Sequence, residues 1–131
     1  MATARASGLA GGQQAGAKAA RVGCWLESGS DFGDLMSDIK ELCDEDRLLC
    51  VHFRNVSAQL PVFEEVLAED GYADMYAIMK QLVACDCNAV ISIDHGFQPM
   101  EGFGGMPGSF CYPTGFMKGL LWAAEKELGK R

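Results

Sequence analysis

The sequence predicts an α/β fold of βα units around a parallel sheet, and three observations carry that expectation. Segments of helical periodicity alternate with short apolar runs along the chain. Two of those runs, residues 48–55 and 89–96, end in a burst of polar side chains, as buried parallel strands do when chemistry sits at their C-terminal ends. The chain has 131 residues, whereas a complete (β/α)8 TIM barrel takes about 250. The expected fold class is therefore a partial (β/α)8 TIM barrel holding only the last two to three βα units.

Each element follows from its local pattern. Residues 1–20 are rich in Ala, Gly and Gln and carry Arg5 and Lys18, with no acidic residue before Glu27. This is low-complexity composition, expected to form a disordered N-terminal segment with a weak likeness to an organelle transit peptide. Residues 21–131 form the barrel part, with a third strand expected near 20–26. Phe32, Leu35, Met36, Ile39 and Leu42 fall at helical spacing, and Asp31 can cap that helix. Residues 48–53 read as a strand, and 56–72 as a partly ordered connection with its own pattern, Phe63-x-Glu65-x-Leu67-x-Glu69-x-Gly71. Asp74 can cap a helix reaching Val83, with Met75, Ile78, Met79 and Leu82 inward. Residues 89–93 are the next strand. Glycines 96, 102, 104, 105 and 108 mark 96–111 as a mobile loop, and the last helix is expected over 114–128.

Composition narrows the function. Apolar residues make up 49% of the chain, enough for a core, and the net charge of −7 argues against nucleic acid as a partner. No apolar run reaches the length of a membrane span, so no membrane partner is expected and the location is read as cytoplasmic. The six cysteines, at 24, 43, 50, 85, 87 and 111, contain no CxxC pair and read as reduced thiols. Cys85 and Cys87 flank one Asp, a weak metal or redox signal against the commoner reading of two thiols at a helix-to-strand junction.

The chemistry-bearing residues lie at the ends of the two apolar runs. A lone histidine is more often a satisfied, half-buried residue than a ligand. Here both histidines of the chain, His52 and His95, occupy runs of the same shape. His52 and Asp94, from two strand ends, can share one divalent ion, and His95 beside Asp94 is a candidate acid or base. Arg54 suits a substrate carboxylate, and a structural salt bridge explains it equally well.

These pieces resemble the C-terminal part of the mannonate dehydratase family. The resemblance rests on Val51-His52-Phe53-Arg54-Asn55-Val56, Glu69-Asp70-Gly71, residues 74–80 and Asp94-His95-Gly96, in that order and at similar spacing. The closing Tyr112 and residues 115–121 are similar to the family's Gly-Tyr loop and last helix. The resemblance spans about residues 23–128, against roughly the last third of a family member. It implies a xylose-isomerase-like TIM barrel. It also implies a hydro-lyase that dehydrates D-mannonate to 2-dehydro-3-deoxy-D-gluconate in glucuronate catabolism, with Fe2+ or Mn2+. Carried over residue by residue, it makes His52 and Asp94 metal ligands and His95 and Tyr112 the proton-transferring pair. Arg54 and Asn55 then contact the sugar acid or brace the site.

The chain departs from the family upstream. Gly23-Cys24-Trp25 resembles a Gly-Thr-Trp-like segment, but the ligand cysteine expected about three residues earlier falls on Arg21. A further ligand histidine has no counterpart, and Ser92-Ile93 stands where the family usually has Arg-Pro. With two ligands expected instead of four, the chain reads as a fragment with an incomplete metal site, completed by a homo-oligomer or by association with a complete barrel. Two other readings stay open: a non-catalytic partial-barrel binding or regulatory module, and a metal-dependent sugar isomerase or epimerase. Residues 51–56 favour the dehydratase over the isomerase.

Overall fold

Two aspartates start two helices in the same way, and those helices flank the centre of the sheet. In a computed structural model, residues 4–6, 24–27, 34–59, 62–93 and 105–130 are described. Helix α1 spans Leu35–Asp44; the Asp34 carboxylate accepts the Ser37 amide at 3.2 Å. The cap is thus Asp34, not Asp31, which lies outside the described residues together with Phe32. Helix α2 spans Met75–Ala84, and Asp74 accepts the Ala77 amide at 2.9 Å, as its sequence position predicts.

Both helices end alike. Asp46 and Asp86 each adopt φ 53° just past the helix end. The next amide reaches back to close the turn, from Arg47 to the Leu42 carbonyl at 2.8 Å and from Cys87 to the Leu82 carbonyl at 3.0 Å. Asp is one of the few side chains that tolerate this left-handed conformation. The turn reverses the chain abruptly into the strand that follows.

Strands β1 (Ala4–Ala6), β2 (Cys24–Glu27), β3 (Leu48–His52) and β6 (Val90–Ser92) form one sheet in that order. Strands β2, β3 and β6 are parallel neighbours in sequence order, and β1 pairs antiparallel on the far side of β2. Strand β1 falls within residues 1–20, and β2 supplies the third strand that the sequence places near 20–26. A short second ribbon pairs β4 (Asn55–Val56) with β5 (Glu65–Val66) inside the 56–72 connection.

Strand β3 carries one extra residue. Cys24 pairs with Leu48 and Trp25 with Cys50, so Leu49 has no partner across β2 and is 60% exposed. The bulge lets Leu48 and Val51 both enter the core, where Val51 meets Ile39, Ile78, Met79 and Leu82 from α1 and α2. By strand alternation, Cys50 and His52 then lie on the opposite face, away from the helices. Val90, the register partner of Cys50, is 67% exposed on that face.

Helix α3 spans Gly105–Glu127, starting well before the expected position 114 and taking up the second half of the region read as a mobile loop. Its glycines and Pro113 weigh against a helix by local propensity. The structure buries Ser109 and Pro113, then Met117, Leu120 and Ala124 in part or whole. These residues follow one another at i, i+4 and i, i+3 spacing, and burying that face outweighs the poor propensity of the first turns. Tyr76 and Lys80 of α2 both reach Glu127 of α3, Lys80 at 2.5 Å. Lys130 caps α2 by donating to the Val83 carbonyl at 2.7 Å and pairing with Asp86 at 2.6 Å.

Candidate active site

His52 ends β3 at the C-terminal end of the parallel strands, half-buried, with Glu27 and Ser92 as backbone register partners on either side. Ser92 precedes Asp94 by two positions in the sequence. Asp94 and His95 themselves lie outside the described residues. Among the described residues, no group of three His, Cys, Asp or Glu side chains could hold a metal ion. The described donors therefore do not by themselves fit a divalent cation, since a transition ion takes at least three protein ligands.

Directly after His52 the chain turns into three residues with distinct surroundings. Phe53 is buried in the core, and its amide donates to the Ser92 carbonyl at 2.7 Å, which extends the β3–β6 pairing past His52. The Arg54 guanidinium pairs with Glu65 of β5 and lies 5.9 Å from the centre of the Phe63 ring. This is the salt bridge that the sequence allows as the alternative to a substrate contact.

Asn55 is only 1% exposed, and its carboxamide is fully engaged. Its Nδ2 donates to the carbonyls of Ala68 at 2.7 Å and Ala73 at 2.9 Å. Its Oδ1 accepts the amides of Ala73 at 3.1 Å and Val56 at 3.0 Å. One side chain thus satisfies four backbone groups and ties the loop before α2 to the end of β3. Between the two expectations for Asn55, sugar contact or bracing, these four bonds are the bracing arrangement.

Tyr112 lies on α3, exposed, and its hydroxyl donates to the Glu69 carboxylate. That hydrogen bond, together with burial and the negative charges of Glu69 and Asp70, raises the phenol above its ordinary range.

The described candidates meet through one segment. Residues 65–73 supply Glu65 to Arg54, the Ala68 and Ala73 backbone to Asn55, and Glu69 to Tyr112. Glu65 and Glu69 were not singled out as site residues from the sequence. Their alternating placement with Phe63, Leu67 and Gly71 was legible, but nothing in it told which partner each carboxylate takes.

A family model for D-mannonate dehydratase (UxuA) matches residues 23–126. Among solved structures, the chain is similar to a mannonate dehydratase from Streptococcus suis serotype 2, with 27% sequence identity and a TM-score of 0.58. That match covers 73% of this chain and 29% of the other, so the chain spans under a third of that protein's length. No curated protein matches. No helix among the described residues is long and apolar enough to cross a membrane. With a family match over most of its length, the chain belongs to the D-mannonate dehydratase family.

Proposed function

We propose that this chain carries part of the site of a hydro-lyase that converts D-mannonate to 2-dehydro-3-deoxy-D-gluconate in glucuronate catabolism. The observation that carries the reading is the family match over residues 23–126, with His52 at the C-terminal end of a parallel strand inside it. The order β2-β3-β6, each strand beside its predecessor in the parallel set, supports a segment of a (β/α)8 barrel. The division into residues 1–20 and a barrel segment over 21–131 belongs to the same proposal, as does completion of the barrel by self-association or by a complete barrel.

The dehydration takes a proton from the carbon beside the carboxylate and expels the hydroxyl of the next carbon. In this assignment His95 removes the proton and Tyr112 delivers one to the departing hydroxyl. An ordinary phenol holds its proton at neutral pH, so Tyr112 can supply one. Asn55 keeps the 65–73 segment in place, and Glu65 fixes the Arg54 guanidinium near the strand end, where it can meet the sugar acid's carboxylate. The family implies Fe2+ or Mn2+, and His52 and Asp94 would be two of its ligands.

The test is formation of the 2-keto-3-deoxy acid from D-mannonate by the full 131-residue chain, with Mn2+ or Fe2+ added and its size in solution recorded. Turnover lost in His95→Asn is the expected result. A folded chain with no turnover in any assembly state contradicts the reading and favours a non-catalytic module.

A further inference from the structure

Glu69 stands in a turn that is clamped to the chain just past β3. The Asp70 amide donates to the Leu67 carbonyl at 3.0 Å and closes the turn around Ala68 and Glu69. Immediately before Glu69, the Ala68 carbonyl accepts the Asn55 Nδ2 hydrogen at 2.7 Å. Just after the turn, Gly71 lies against the same carboxamide, and the Tyr72 amide donates to the Val56 carbonyl at 3.0 Å. Asn55 follows His52 by three positions. The backbone of Glu69 is thus tied to the strand end that carries His52, while its carboxylate stays exposed.

Tyr112 reaches that carboxylate from a different direction. It lies on α3, a helix seated on the core through Met117, Leu120 and Ala124. Its neighbour Pro113 is the residue turned inward, and Tyr112 itself is exposed. An exposed aromatic side chain on a helix keeps its choice of rotamers unless its far end is held. The hydroxyl of Tyr112 donates to Glu69, 43 positions away, and so anchors that far end on the turn. One hydrogen bond therefore links the helix that carries the phenol to the segment clamped beside His52.

We propose that Glu69 is a positioning residue for the dehydration, holding the Tyr112 phenol oxygen in place relative to the His52 end of β3. The proposal rests on the reading that Tyr112 is the proton donor. Glu69 itself takes up no proton in this role. With substrate in the site, the hydroxyl hydrogen turns about the Cζ–Oη bond from the carboxylate toward the departing hydroxyl, and the ring stays where the bond has set it. Orientation of this kind acts on the chemical step and leaves ground-state binding alone, so it is read in kcat and not in KM.

The test uses the full chain with Mn2+ added, as parent, Glu69→Ala, Glu69→Gln and Tyr112→Phe. Glu69→Ala is expected to lower kcat for D-mannonate by about tenfold or more, with KM and the unfolding midpoint unchanged. Glu69→Gln should recover most of that loss at neutral pH, because its amide oxygen can accept the same hydrogen. In proteins labelled with 13C in the three tyrosine rings, Tyr112→Phe identifies the Tyr112 signal. That signal should move in Glu69→Ala and return toward the parent position in Glu69→Gln. Parent kcat in Glu69→Ala, a loss that appears in KM alone, or a Tyr112 signal that ignores Glu69→Ala overturns the proposal. A folded parent without turnover is a failure of the dehydratase reading, and the Tyr112 signal then decides by itself whether Glu69 holds the phenol.

Discussion

The carboxamide of Asn55 fills the space that a side chain on Gly71 would need: a β-carbon built there falls within the Asn55 Cγ, Oδ1 and Nδ2 atoms. The glycine is required by this close approach of backbone to a buried, fully bonded side chain, and its φ is not left-handed. Asn55→Ala should cost about 3 kcal/mol, because it leaves the Ala68 and Ala73 backbone groups without their donor and acceptor. Gly71→Ala should also destabilise, by pushing the carboxamide off those groups. In the double variant the clash is gone, so the loss should equal that of Asn55→Ala to within about 0.5 kcal/mol. Chemical denaturation of the four proteins checks the cycle.

Asp74→Ala removes the cap of α2 and should lower stability by about 1 kcal/mol. The same denaturation measurement reads it, and Asp74→Ser should recover most of the loss because a hydroxyl can accept the Ala77 amide in the carboxylate's place.

How much of this was legible in the sequence depends on the range of the interaction concerned. The Asp74 cap and the α2 core residues follow from spacing alone, since a helix end and a helix face are set within one or two turns. The Gly71 requirement was not legible, because its cause is Asn55, sixteen positions earlier in the numbering. The early start of α3 was hidden for a related reason: Gly108 and Pro113 oppose a helix locally, and only burial of Ser109 and Pro113 shows what overrides them. His52 is legible as a candidate from its apolar run and Tyr112 through the family resemblance, whereas the Glu69 partner of Tyr112 depends on how α3 packs over the 65–73 segment.

The contact between α2 and α3 should respond to pH at both ends of the scale. Hydrogen bonds from Lys80 and Tyr76 lower the Glu127 carboxyl below its ordinary 4.5, so its contribution is present above that value and fades as pH falls through the lowered one. Glu127 raises Lys80 above its ordinary 10.5, so the lysine's contribution is whole below 10.5 and fades as pH rises through the raised value. Both groups are exposed, so the effect is small and screened by salt. Thermal unfolding against pH should show a shallower acid limb in Glu127→Gln than in the parent chain.

Glu69 holds the Tyr112 phenol above its ordinary range through the hydrogen bond. If Tyr112 is the acid of the dehydration, Glu69→Gln should move the basic limb of turnover to lower pH. A profile that keeps its basic limb in place while kcat changes would leave Glu69 a structural partner only.

The proposed roles, His52 as one metal ligand and Tyr112 as a proton donor, meet in one experiment: metal content and D-mannonate turnover measured together in the parent, His52→Ala and Tyr112→Phe proteins. The expected result is that His52→Ala loses both the metal and turnover, whereas Tyr112→Phe keeps the metal and loses turnover. Full turnover in either variant would contradict it.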